Sequence, residues 1–114
     1  MPYRRFVPAR DSFHPDLVAA TADLAKLVRR LRSLSPRAWV DRRAPVQAAL
    51  NGLVALNGKL EGRRLDAPVV ADHVFADAVA VIGGDVLKAL AQSQDRTGLD
   101  LAVQLIEDAL AKTR

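Results

Sequence analysis

The chain has 114 residues, 50% of them apolar and 26% charged, which is the size of one globular domain and too apolar for a disordered tail, while no run of 18 apolar residues is present to cross a bilayer. With no cysteine and only His14 and His73, disulfides, thiolate zinc sites, cysteine nucleophiles and three-imidazole metal centres are excluded. The net charge of +4 divides unevenly: residues 1–64 hold 13 Lys or Arg against 5 Asp or Glu, and residues 65–114 hold 4 against 8.

Such a division suits either a basic surface for an anionic partner or two halves that neutralise one another. Arg4-Arg5-Phe6-Val7 resembles a twin-arginine export signal, but Pro8, Arg10 and Asp11 stand where its apolar stretch should begin, so the expected location is cytoplasmic, with no membrane association. No cofactor is expected.

Residues 1–14 have no apolar period and read as an extended arm, with Tyr3, Phe6 and Phe13 available to dock on the body, followed by one helical domain over 15–114. Pro15 suits a first helical position and Asp16 complements the N-terminal dipole. Leu17, Ala20, Leu24, Leu27, Val28, Leu31 and Leu34 then share one face at about 100° per residue, with Lys26, Arg29 and Arg30 opposite. Ser35-Pro36 caps a short turn through Val40, and Trp39 is placed at one end of the core. Pro45 marks the start of a second helix with Val46, Ala49, Leu50, Leu53, Leu56 and Leu60 on its stripe, fraying at Gly62.

Asp66 is the expected cap of a third helix carrying Val70, Val74, Ala78, Val81 and Ile82 on one side, with Ala71, Phe75 and Val79 extending that face. After Gly83-Gly84 the stripe of Val86, Leu87, Leu90 and Ala91 is rotated relative to the preceding one, which predicts a break or kink at the glycines with Asp85 as a new cap. Gln92–Arg96 reads as a polar link, and Thr97 with Asp100 as a capping box opening a last helix through Leu99, Ala102, Val103, Ile106, Ala109 and Leu110. The expected architecture is an all-α antiparallel bundle of four or five helices joined by short links.

For function, the basic face Lys26, Arg29 and Arg30 is the most specific charged feature, suited to an acidic protein partner or to phosphates. Asn57 lies inside the second apolar stripe, where a buried asparagine can fix register across a twofold axis or end a helix before Gly58. Ala76, Ala80 and Gly84 form a strip of small residues that admits another backbone, from the same chain or a second protomer. Asp72, His73 and Asp77, with His14, Asp11 and Asp16 as the one conceivable complement, make an incomplete metal or acid–base set better read as structural polar contacts. No G-x-S-x-G turn or phosphate loop occurs. These features predict a non-enzymatic helical interaction or assembly module, a homodimer with Asn57, Ala76, Ala80 and Gly84 at its interface. The alternative is a small basic regulator that contacts nucleic acid through the first helix and the Arg-rich link.

Overall fold

The computed structural model describes residues 9–63 and 71–114, with side chains from Ser12 onward. Four helices form the bundle: α1 (Ala9–Ser33), α2 (Pro36–Glu61), α3 (Phe75–Ser93), which a 3-10 turn at Asp72–Val74 introduces, and α4 (Arg96–Lys112). The expected all-α bundle is what the chain forms, and no strand occurs among the described residues. Residues 1–8 of the expected arm, and Asp66 and Val70 of the expected third helix, lie outside the described residues.

Contacts along the helices set their directions. Leu24 of α1 meets Gly83 of α3, and Arg32 meets Asp77, so these two helices run antiparallel. Arg96 meets Asp16 and Arg30 reaches Leu110, so α1 and α4 run parallel. Leu105 meets Gly52 and Arg42 reaches Arg114, so α2 and α4 are antiparallel, and α2 and α3 are consequently parallel. Both α1 and α2 pack on α3 and on α4 while hardly touching each other. The cyclic order is therefore α1, α3, α2, α4, with two antiparallel and two parallel neighbours, and α2 ends where α3 does not begin: the two points lie at opposite ends of the bundle.

Helix α1 starts at Ala9, ahead of the expected Pro15, so residues 9–14 belong to the helix and not to an arm. The cause is Phe13, only 2% exposed, which continues the stripe of Leu17, Ala20, Leu24, Leu27 and Leu31 by one turn upstream. An internal proline costs about 3 kcal/mol by removing one backbone donor, and burying a phenylalanine returns a comparable amount, about 1.5–3 kcal/mol. Pro45 is overridden in the same way. The expected turn through Val40 and the expected helix from Pro45 are one continuous α2, because Trp39 before the proline and Val46 after it are both buried on one face. Trp39 stacks on Phe75 with ring centroids 5.3 Å apart and closes that end of the core. Ser35 caps α2 by accepting from Ala38 N–H at 3.2 Å, with Pro36 in the first turn as expected. The far end is a Schellman-type stop: Gly62 has φ 74 and Arg63 N–H bonds Gly58 carbonyl at 2.8 Å.

The expected break at Gly83-Gly84 does not occur, and α3 runs through both glycines. Its buried residues are Phe75, Ala76, Val79, Gly83, Val86, Leu87 and Leu90. At 100° per residue these fill one arc of about 120°, with Gly83 near its middle. The apparent rotation came from counting half-buried Val74 and Ala78 and exposed Val81 and Ala91 as core, whereas Phe75 and Val79, expected only to extend the face, are its buried residues. Nor is the helix continuous from Asp66, because Ala71 is extended, at φ −70 and ψ 154. Gln94, at φ 56, ends α3, and Asp95 caps α4 by accepting from Gly98 N–H at 3.0 Å, two residues ahead of the expected Thr97.

The two glycines have different surroundings. A Cβ at Gly83 would lie 2.7 Å from Leu24 Cδ1, whereas one at Gly84 would meet nothing within 4 Å. Gly84→Ala should raise stability by about 1 kcal/mol through helix propensity alone. Gly83→Ala should gain less or lose, since buried Leu24 must move; thermal melts of both variants check this, and an equal gain in the two would contradict the close approach.

Candidate interaction surface

Beside the core stripe of α1, Val18, Thr21, Ala22, Ala25 and Val28 fall on a neighbouring strip facing the outside of α3. Leu24 seated on Gly83 draws the two helices together, and small side chains on both sides leave a trough instead of a ridge. The trough has a volume of about 370 Å³ and is lined by Thr21, Leu24, Ala25, Val28, Arg29 and Ala80. Its one hydroxyl is already engaged, since Thr21 Oγ1 donates to Leu17 carbonyl at 2.9 Å. The lining is otherwise apolar apart from the Arg29 head group. The same two helices expose Val18 and Val81, at 55% and 62%, and Gly84 leaves open space one turn from Ala80.

A second concavity, about 490 Å³, lies where α1 ends and where α2 and α3 begin, and combines Leu31, Leu34, Pro36, Trp39 and Ala76 with Arg32, Asp72, His73 and Asp77. Its charged groups hold each other. Arg32 Nη2 donates to Asp77 Oδ1 at 2.9 Å, and Arg43 donates to both oxygens of Asp72, with Nε to Oδ1 at 2.7 Å. The hydrogen bonds from Arg43 hold the Asp72 carboxyl below the usual carboxylate range, and the same pair raises the Arg43 guanidinium. His73 is exposed at this end, whereas His14 and Asp16 belong to the opposite end of α1. The structure therefore does not join the two halves of the conceivable metal set, and no group of three or more His, Asp or Glu suited to a metal occurs among the described residues.

The basic triplet is divided. Arg30 is half-buried and its Nη1 donates to Leu110 carbonyl at 2.7 Å, one of the last carbonyls of α4, where a cation also complements the helix dipole. Arg42 supports the same terminus by donating to Arg114 carbonyl at 2.6 Å. Lys26 and Arg30 line a groove toward α4, and Arg29 lines the trough toward α3. Lys26 and Arg29 are exposed and neither has a hydrogen bond or ion pair among the described residues.

The expected dimer residues are divided too. Asn57 is 7% exposed inside the chain's own core, and its Oδ1 accepts no hydrogen bond among the described residues. The helix continues past Gly58 to Glu61, so Asn57 does not end it. Ala76 is buried, Ala80 half-buried and Gly84 exposed. Asn57 and Ala76 thus present no surface to a second protomer, and only Ala80 and Gly84 of the small strip reach the trough. Of the α1 residues that line it, Leu24 and Val28 were expected on the core stripe and Arg29 on the basic face, and Thr21 and Ala25 were missed; the signal for them is two small residues four apart beside that stripe. Comparison of the chain with protein-family models, curated proteins and solved structures finds no match in any of the three.

Arg30→Ala leaves the Leu110 carbonyl without its charged donor and should cost about 1–3 kcal/mol. Lys26→Ala and Arg29→Ala, at exposed unpaired sites, should each change stability by less than about 0.5 kcal/mol. Denaturant unfolding of the three variants separates a terminus cap from a solvated face. For Asp72, a folded-state pKa below its unfolded value adds stability above the unfolded value that is lost as pH falls through the lowered one. Arg43→Gln should move the Asp72 carboxyl titration upward, followed by carbon-13 NMR, and an unchanged titration would show the ion pair to be absent in solution.

Proposed function

We propose that the protein is a non-enzymatic helical interaction module, and that a helix of a partner docks in the trough between α1 and α3. The single observation carrying this reading is an open, apolar, small-residue trough between two helices that also expose Val18 and Val81. Small residues let a second backbone approach closely, so that even a modest area packs densely. The nucleic-acid alternative has less support. Arg30 is spent on α4, Arg32 and Arg43 are paired with Asp77 and Asp72, and Lys26 and Arg29 face different grooves. Self-association as a homodimer no longer has Asn57 or Ala76 to recommend it, and of the expected interface residues only Ala80 and Gly84 keep exposed surface.

Replacing Val81 by photoreactive benzoylphenylalanine tests the reading in the native host. A discrete adduct is expected at position 81, abolished by adding Ala25→Glu in the trough, with little adduct at equally exposed Val40 on α2. The adduct's mass separates a second copy, at twice 12.3 kDa, from a different protein. Adducts equally abundant at positions 40 and 81 would sink the proposal.

A further inference from the structure

Resting on the docking reading above, we infer that the partner helix at the α1–α3 trough is amphipathic with acidic flanks: small apolar side chains enter the trough, and Glu or Asp on either side meets the cations that border it. The sign comes from which charges lack partners. Arg32 and Asp77 neutralise each other at one end of the trough. Beyond that pair, Arg29 in the trough wall and Lys88, one turn beyond Gly84 on α3, are exposed and have no ion pair or hydrogen bond among the described residues. The carboxylate of Asp85 is the nearest counterweight on α3, and at 100° per residue it lies about 40° further round the helix than Val81, away from α1. The border thus carries one unpaired cation on each of the two helices, Arg29 and Lys88, against the single carboxylate of Asp85.

The two occupants available from this chain match poorly. A second copy would bring its own Arg29 and Lys88 to the same interface, placing like charges together, which is costly across a contact. Residues 1–8 carry Arg4 and Arg5 and no carboxylate, so they share the sign of the border. An acidic-flanked helix has the complementary charge and gains both encounter rate and register from it.

The test uses the full chain and two synthetic 18-residue helical peptides with one identical Ala/Leu face, one flanked by Glu and the other by Lys. Binding is measured by fluorescence anisotropy at low salt and mapped by amide chemical shifts. The Glu-flanked peptide should bind about tenfold or more tightly than its Lys-flanked isomer, shift the amides of Ala25, Ala80 and Gly84, and lose that advantage at high salt, where screening falls to a few ångströms. The double variant Arg29→Glu, Lys88→Glu should reverse the preference without altering the melting profile, since both sites are exposed. Equal binding of both peptides at the trough overturns the acidic flank but leaves docking standing. Binding of neither, or shifts confined to the cleft at Trp39, overturns the inference. A sedimentation mass of twice the monomer, with Ala25 and Gly84 protected, would overturn it in favour of a second copy.

Discussion

The seating of Leu24 on the bare backbone of Gly83 is the contact from which the rest of the arrangement follows. A methyl group there would meet Leu24 Cδ1 at 2.7 Å, so Leu24 would have to repack at the centre of the α1–α3 contact. Because the glycine lies within the apolar arc and not at its end, it is a packing residue. The same close approach makes the trough, since helices brought near by Gly83 and edged by Thr21, Ala25 and Ala80 leave a concave seam. Core packing and candidate surface are thus two sides of one pair of helices.

Electrostatics organises the ends of the bundle as burial organises its middle. The basic first half and acidic second half of the sequence meet directly in Arg32–Asp77 and Arg43–Asp72, and in the reverse sense in Arg96–Asp16. Exposed pairs of this kind add little individually, on the order of 0.2–1 kcal/mol. Arg30 and Arg42 act on backbone instead, donating to the Leu110 carbonyl in the last turn of α4 and to the Arg114 carbonyl just beyond it. Charges of both signs stay unpaired elsewhere on the surface, and the one that lines the trough, Arg29, is a cation.

The sequence made α1 and α4 readable because their stripes hold residues that differ sharply in polarity from the opposite face. It misled at Pro15 and Pro45, where local preference opposes helix but Phe13, Trp39 and Val46 repay the lost hydrogen bonds by burial. In α3 the error was one of kind: a glycine pair was read as punctuation, although Gly83 is core and Gly84 is surface. Part of the trough, Ala80, Gly84 and Arg29, was visible as separate features, but nothing in one dimension joins α3 residues to Val18, Thr21 and Ala25 on α1. Asn57 stood out correctly as buried, yet burial within its own chain and burial against a second one give the same periodicity.

The cyclic order of the helices has a consequence for how the chain reaches this state. In most small bundles consecutive helices pack as hairpins, so local contacts can accumulate before the chain closes distant ones. Here α1 hardly touches α2, and each covers its apolar face with α3 and α4. Neither the first half nor the second contains a buried face of its own, so nucleation must recruit α3 or α4 across the middle of the chain, and the loop-closure entropy is met before any helix pair is rewarded. Folding should therefore be slower than helix content alone implies and strongly all-or-none. The two halves, made as separate polypeptides, are built to complete one another.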